Sequence, residues 1–192
     1  MEQKKGANKV KAVLISIRPQ WVELIASGKK TVEVRKTRPK LKTPFKCYIY
    51  ETKSENKNRL IVYIDSYEPA KYARGRGKVV GEFVCDNTTN VFSDSRFWLD
   101  EKITVQTSLT GNEIRNYAGG SKKLYGWHIS NLKVYDRPKE LSEFHKEDAQ
   151  SLIVPHTTRC NAEYPPALTR EPYQINRAPQ SWCYVEELKN DE

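Results

Sequence analysis

A charged segment, LIASGKKTVEVRK at residues 24–36, has the residue types of a ligand-binding site. The ammonium of Lys30 offers three donors to a phosphate or carbonyl oxygen, and the guanidinium of Arg35 offers a planar fork for bidentate contact or stacking on a base. Glu33 lies between them and can orient both cations or accept from an exocyclic amine. The spacing predicts a site for a polar ligand, and the alternative is a solvated surface pair that contributes little energy.

The segment RPQWVELIASG predicts a short helix just before these charges. Pro19 suits the first helical turn, and the apolar side chains of Trp21, Leu24 and Ile25 recur at helical spacing on one face. Gly28 suits a left-handed residue at the helix end. The helix is therefore expected to end where the charged residues begin.

The segment TVEVR, residues 31–35, alternates as a strand does. Val32 and Val34 point to one face, so Glu33 and Arg35 share the other face, about 6.6 Å apart. We expect the valines in the core and the charged residues together at the mouth of a cleft, with the preceding lysine at the corner of the strand.

Apolar runs along the rest of the chain predict a fold made mainly of strands. The runs are VKAVLISI, FKCYIYET, RLIVYID, GKVVGEFVCD, LYGWHISNLKVYD and QSWCYVEE, of which the fifth is a strand pair or one long bent strand. SLTGNEIRNYAGG predicts a helix, because Thr110 and Glu113 form a capping-box pattern. We expect an α+β fold, a small and mostly antiparallel β-barrel with two or three short helices.

Composition divides the chain into a basic arm and one domain. Residues 1–9 are expected to be disordered, and residues 10–187 to form a single domain, because 192 residues are a tight fit for two. The stretch at about 145–176 is rich in proline and has no sustained period. It is expected to be a loop-rich excursion without a hydrophobic core of its own.

The balance of charge indicates a polyanionic partner. The chain has 33 Lys and Arg against 24 Asp and Glu, a formal net charge of +9, which favours nucleic acids through counterion release.

The start MEQKKGANKVK lacks the apolar core of a signal peptide, and no run approaches the roughly 20 apolar residues of a membrane span. We expect a cytoplasmic protein without a membrane partner. The four cysteines match no common zinc spacing, so neither a metal nor a cofactor is indicated.

The charged segment also carries a family signature. Gly28, Lys30, Glu33 and Arg35 spell G-x-K-x-x-E-x-R, and the sequence around them resembles the ASCH domain family of the PUA-like superfamily. ISIRPQWVELIASGKKTVEVRK looks like the first strand, first helix and second strand of that domain. YGWHISNLKVYDRPKELSEF and RAPQSWCYVEE resemble the closing portions of its bacterial and phage members. The resemblance covers roughly residues 10–187.

The resemblance implies a cleft beside the barrel that accepts RNA or a nucleobase-like ligand. Aromatic faces together with basic groups suit single-stranded nucleic acid, so the expected partner is RNA, preferably single-stranded, or a modified nucleoside. The expected ligand-binding residues are Arg18, Lys30, Glu33, Arg35, Trp127, His128 and Trp182. For the tryptophans and the histidine, the alternative is a structural role in the core.

A second basic segment, KYARGRGK, is a candidate extension of this surface. Its glycines allow close backbone approach, and its arginines suit phosphates. The cations concerned are Lys71, Arg74, Arg76 and Lys78. The alternative is a flexible hairpin connection that is charged without a binding role.

The resemblance implies two further functions. Some small ASCH proteins are amidohydrolases that deacetylate an acetylated cytidine nucleoside with a lysine, a threonine and a glutamate. Lys30 matches that lysine and would be catalytic only in such an enzyme or another RNA-processing hydrolase. The threonine does not carry over, because Glu33 takes its place, and Glu82 and Glu113 are the candidates for the glutamate. Because Glu33 favours the charged form of Lys30, we expect binding rather than catalysis. The third function is a protein-interaction adaptor in transcription.

Overall fold

The N-terminal elements position the charged segment. The structure, a computed structural model, describes four parts of the chain, namely residues 10–53, 77–93, 101–146 and 173–188. Its first three elements are strand β1 at Lys11–Ile17, helix α1 at Pro19–Ala26 and strand β2 at Val32–Arg35. Pro19 lies in the first turn of α1, and Gly28 follows that helix with a φ of +73°. The predicted helix and its two flanking strands are confirmed.

The remaining described elements follow in chain order. The strands are β3 at Phe45–Glu51, β4 at Val79–Ser93, β5 at Lys123–Lys139, β6 at His145–Lys146, β7 at Tyr173–Gln174 and β8 at Trp182–Glu186. The helices are α2 at Glu101–Thr107 and α3 at Gly111–Ala118, and a 3-10 turn covers Leu141–Glu143. The run LYGWHISNLKVYD forms the single long strand β5, whereas RLIVYID lies outside the described residues.

Six of these strands form one sheet in the order β2-β5-β4-β3-β1-β8. The pair β1 and β3 is parallel, and the other four pairs are antiparallel. Among the described residues no ladder joins the edge strands β2 and β8, so the sheet is open. The α+β class is confirmed, but the expected closed barrel is replaced by a mixed open sheet.

The two faces of the sheet carry different hydrophobic clusters. Along β1, Ile15 joins the larger cluster with Trp127, whereas Leu14 joins a second cluster with Tyr48 on the opposite side. We call the face of the larger cluster the inner face and the opposite one the outer face. Helix α1 covers the inner face through Ile25. Because successive strand residues point to alternate faces, the face of a strand side chain can be read from a cluster member on the same strand.

Helix α3 packs against the β2 and β5 end of the sheet. Ile114 of this helix joins a third cluster with Val34 and Leu124. The predicted capping box is present, because the Thr110 side chain accepts from the backbone N–H of Glu113 and the carboxylate of Glu113 accepts from that of Thr110. This cap fixes the start of a helix that reaches the charged segment at its other end.

The two ends of the predicted excursion are joined by a short ladder. Strands β6 and β7 pair antiparallel, so His145 lies opposite Gln174. Residues 147–172 lie outside the described residues, as do residues 1–9, and the predictions made for them stay predictions. In the described parts of the chain, none of the helices has the length and apolar character needed to cross a membrane.

Candidate functional site

Lys30, Glu33 and Arg35 form a buried ion triad. Nζ of Lys30 lies 3.5 Å from Oε2 of Glu33, and Nη2 of Arg35 lies 3.0 Å from Oε1 of the same carboxylate. The three residues are only 2%, 6% and 8% exposed, which excludes a solvated surface pair. One carboxylate therefore holds two cations in a site largely withdrawn from water, where each charge depends on its partners.

Arg35 connects the two sides of the open sheet. Its strand β2 is an edge strand, yet Nη2 donates to the backbone oxygen of Ser16 on β1 at 2.6 Å. Nη1 donates to Oγ of Ser181, which immediately precedes the opposite edge strand β8, at 3.4 Å. The sheet therefore curls around the inner face, which brings its two edges close together. Among the described residues no backbone ladder joins these edges, and the side chain of Arg35 connects them instead.

Lys30 is held by contacts beyond the triad. Its Nζ donates to the backbone oxygen of Thr107, at the end of α2, at 2.6 Å and lies 5.2 Å from the ring centroid of Trp21 on α1. Burial lowers the pKa of Lys30, Glu33 raises it, and Arg35 lowers it further. Burial outweighs the carboxylate, so the ammonium of Lys30 loses its proton more readily than that of an exposed lysine.

Tyr117 and Arg18 flank the triad from two different elements. Arg18 is the exposed N-cap residue of α1, and Tyr117 lies in the last turn of α3 with 40% exposure. Burial raises the pKa of Tyr117, and the charges of Arg35, Glu33 and Arg18 all act on it. Nζ of Lys36 lies 5.5 Å from the Tyr117 ring centroid. Arg18, Lys36 and Tyr117 thus place the start of α1, the end of β2 and the last turn of α3 beside the triad.

Glu51 adds a second buried carboxylate at this end of the sheet. It is 4% exposed and pairs in parallel register with Ile17, the residue before Arg18. Cys47 and Ile49 of the same strand belong to the inner-face cluster, so alternation places Glu51 on the inner face. Neither the burial of Glu51 on the inner face nor the position of Tyr117 beside the triad was predicted from the sequence, because each follows from the fold rather than from proximity in the chain.

Two buried donors beside the triad have no hydrogen-bond partner among the described residues. They are Nε of Arg35 and Nε1 of Trp127. Trp127 is the cross-strand partner of Glu33, so both side chains lie on the inner face. A buried N–H without an acceptor costs about 1 to 3 kcal/mol, and of these two side chains only that of Arg35, which is 8% exposed, reaches the surface.

Of the aromatic residues predicted to line the cleft, Trp127 and Trp182 share the inner face, whereas His128 does not. Trp127 is fully buried in the inner-face cluster, with its ring centroid 5.9 Å from that of Trp182. Trp182 is half-buried, and its Nε1 donates to Oγ1 of Thr37 at 2.9 Å. His128 pairs with Val32 and lies on the outer face, with Nε2 3.0 Å from a threonine hydroxyl, that of Thr89. Of the three residues, only Trp182 is both partly exposed and on the inner face.

Of the second basic segment, KYARGRGK, the structure describes only the last two residues, Gly77 and Lys78. Lys71, Arg74 and Arg76 lie outside the described residues. Nζ of Lys78 lies 2.6 Å from Oε1 of Glu140, in an ion pair whose two side chains are 42% and 57% exposed. Lys78 is therefore engaged by a carboxylate on the surface.

Neither glutamate considered for hydrolysis faces the triad. Glu82 pairs with Tyr48 on the outer face, accepts from the hydroxyl of Tyr135 at 2.6 Å and lies 3.6 Å from Nζ of Lys46. Glu113 caps α3. Both carboxylates are occupied by structural contacts, whereas Glu51 is buried on the inner face.

The sequence profile of the ASCH domain family matches residues 15–136, and the chain belongs to this family, which is generally linked to RNA binding. The structure is similar to the crystal structure of ASCH from Zymomonas mobilis, with 18% identity over 92% of this chain and 88% of that chain and a TM-score of 0.52. A point mutant of the Zymomonas protein is 21% identical over 68% of this chain and 76% of that chain, with a TM-score of 0.47. The search of curated proteins returned no significant match.

Proposed function

We propose that the protein binds RNA, in single-stranded form, or a modified nucleoside at the opening beside the ion triad. The observation that carries this proposal is the convergence of Arg18, Glu33, Arg35 and Tyr117 from three different elements around a buried donor that lacks an acceptor among the described residues. Nε of Arg35 is suited to a base carbonyl or a phosphate oxygen, because these are acceptors without a proton of their own.

Charge favours an anionic or electron-rich ligand at this position. Near the opening, the carboxylate of Glu33 is accompanied by four cations, namely Arg18, Lys30, Arg35 and Lys36. Tyr117 and Trp182 add partly exposed rings on which an unstacked base can lie. Cations and aromatic rings in one opening are the combination that single-stranded nucleic acid requires.

The deacetylase alternative has one observation in its favour and two against it. The lowered pKa of Lys30 is the change that a lysine base would need. However, Glu33 occupies the threonine position of that enzyme type, and Nζ of Lys30 already contacts Glu33 and the backbone oxygen of Thr107. A lysine engaged in this way is better placed to hold the site together than to attack a substrate, so binding is the function we propose.

Substituting Arg18 tests the proposal without disturbing the core. Because Arg18 is exposed, Arg18→Ala should leave the melting temperature nearly unchanged. It should weaken binding of a short single-stranded RNA by roughly fivefold to thirtyfold, the scale of one charge-assisted contact. Fluorescence anisotropy of labelled RNA measures this change.

Arg137→Ala is the matched control for Arg18→Ala. Arg137 is also exposed. It lies two residues after Tyr135 on β5, so both side chains point to the outer face. The control should bind RNA as the unmodified protein does. Equal affinities for the two variants, or no binding by the unmodified protein, would contradict the proposed function.

A further inference from the structure

The chain that follows the triad has an unbalanced charge. Between Glu33 and Glu51 there is no acidic residue, and the loop from β2 to β3 carries four cations at alternate positions. We call these four residues the basic strip, and they are Lys36, Arg38, Lys40 and Lys42. All four are exposed, and among the described residues no carboxylate lies within ion-pair distance of them.

The residues between these cations fix the loop to the protein. Pro39 is buried, and Leu41 packs against the inner-face cluster. Oγ1 of Thr37 accepts from Nε1 of Trp182, and the backbone N–H of Lys40 donates to the hydroxyl of Tyr184 at 2.8 Å. The loop is thus anchored through Thr37, Pro39, Leu41 and the backbone of Lys40, while the four charged side chains are exposed. The cations are therefore presented together without further ordering of the loop.

Aromatic rings support the first two cations of the strip. The Lys36 ammonium lies over the Tyr117 ring, and the Arg38 guanidinium lies 5.5 Å from the ring centroid of Tyr125. A guanidinium over a ring keeps its N–H groups available at the rim. Tyr117 borders the triad, so the strip begins at the opening of the proposed binding site and leads away from it.

Three of the four cations of the strip also line an open cleft. Its volume is about 430 Å³. The lining residues are Arg38, Pro39, Lys40, Leu41, Lys42, Thr43 and Thr88. Like charges held together in this way repel one another, and an anionic chain lying along them would relieve the repulsion.

We infer that the basic strip binds the phosphodiester backbone of a single RNA strand whose base or nucleotide occupies the opening beside the triad. This inference rests on the proposed function and narrows it: the ligand is a polynucleotide rather than a free nucleoside. Phosphate contacts hold the strand in register, while the opening selects the nucleotide.

A pair of charge-matched variants tests the inference. Arg38→Gln with Lys40→Gln removes two cations of the strip, and Lys133→Gln with Arg137→Gln removes one lysine and one arginine from the outer face of β5. Each double variant lowers the net charge by two, so a general electrostatic effect would be the same in both. Circular dichroism and thermal unfolding establish that both variants fold.

The strip variant should bind a short single-stranded RNA at least tenfold more weakly than the control variant. The salt dependence should also weaken. The slope of log affinity against log salt concentration should be smaller in magnitude by roughly 1.4 than for the unmodified protein, because each phosphate contact on a single strand contributes about 0.7 to this slope. The control variant should keep both the affinity and the salt dependence of the unmodified protein.

The outcomes also separate this inference from the proposed function. If Arg18→Ala weakens RNA binding but the strip variant matches its control, the strip inference is overturned and the proposed function stands. If the strip variant loses affinity while Arg18→Ala has no effect, the strip is a nucleic-acid surface and the opening is not the site. Failure of the unmodified protein to bind RNA overturns both the inference and the proposed function. If the strip instead binds polyglutamate and not RNA, its partner is an acidic protein.

Discussion

Replacing Glu33 by glutamine is expected to lower the free energy of unfolding by about 3 to 5 kcal/mol. The carboxylate is the partner of two buried cations, Lys30 and Arg35, at 3.5 Å and 3.0 Å. A neutral amide of nearly the same shape leaves both cations in a poorly hydrated site without their counter-charge. The backbone oxygens of Ser16 and Thr107 keep their hydrogen bonds but cannot supply a negative charge. Urea unfolding followed by circular dichroism measures the loss.

Glu140→Gln provides the control with the same chemical change. Glu140 pairs with Lys78 at a shorter distance, 2.6 Å, but both side chains are largely exposed. An exposed pair contributes roughly 0 to 1 kcal/mol, so the control should have little effect on stability. Similar losses for Glu33→Gln and Glu140→Gln would mean that the triad is not a buried electrostatic unit.

Trp127→Ala should destabilise the protein by about 3 to 5 kcal/mol, as is typical of a large aromatic residue removed from a core. Trp127 has no exposed surface and packs edge-on against Phe45 and Trp182, each with a centroid distance of 5.9 Å. Its removal would open a cavity on the inner face directly opposite Glu33. The midpoint and slope of urea unfolding report the change.

Trp182→Ala distinguishes a core tryptophan from one at the opening. Trp182 is half-buried, so its truncation should cost roughly half as much stability as that of Trp127. In addition, it should weaken RNA binding, because the exposed part of its ring is available to a base. Equal destabilisation by the two substitutions would show that Trp182 is a core residue as well.

Local periodicity correctly predicted the part of the site that lies within one strand. Alternation along β2 places Glu33 and Arg35 on a shared side, and Pro19 and Gly28 bound a helix that brings Lys30 next to them. The same rule also applies to Trp127 and His128. These neighbours on a strand must point to opposite faces, so the expectation that both line one cleft conflicted with the strand predicted for them.

Burial of the triad could not be predicted, because it depends on residues distant in sequence. Arg35 is covered through Ser16 and Ser181, which approach it only when the open sheet curls. A closed barrel was expected for the same reason: the run of strands predicts a curved sheet but does not reveal whether its edges pair. In the described residues they do not, and the Arg35 side chain spans the gap instead.

Helix α2 was missed because its sequence favours a strand. The segment EKITVQT contains three β-branched residues in succession, Ile103, Thr104 and Val105, which have low helix propensity. Its last residue, Thr107, accepts from Lys30, so the missed element is one that fixes the triad. Packing against β2 therefore overrides local preference at a position that matters for the site.

Photochemical crosslinking of a thiouridine-substituted single-stranded RNA to the protein, followed by mass spectrometry of the peptides, would locate the bound strand on the protein surface. We expect crosslinks at Tyr117, Trp182 or residues 36–42 that disappear when unlabelled RNA competes. Crosslinks confined to the outer face, for example in peptides containing Lys133 and Arg137, or crosslinks that unlabelled RNA does not displace, would contradict this expectation.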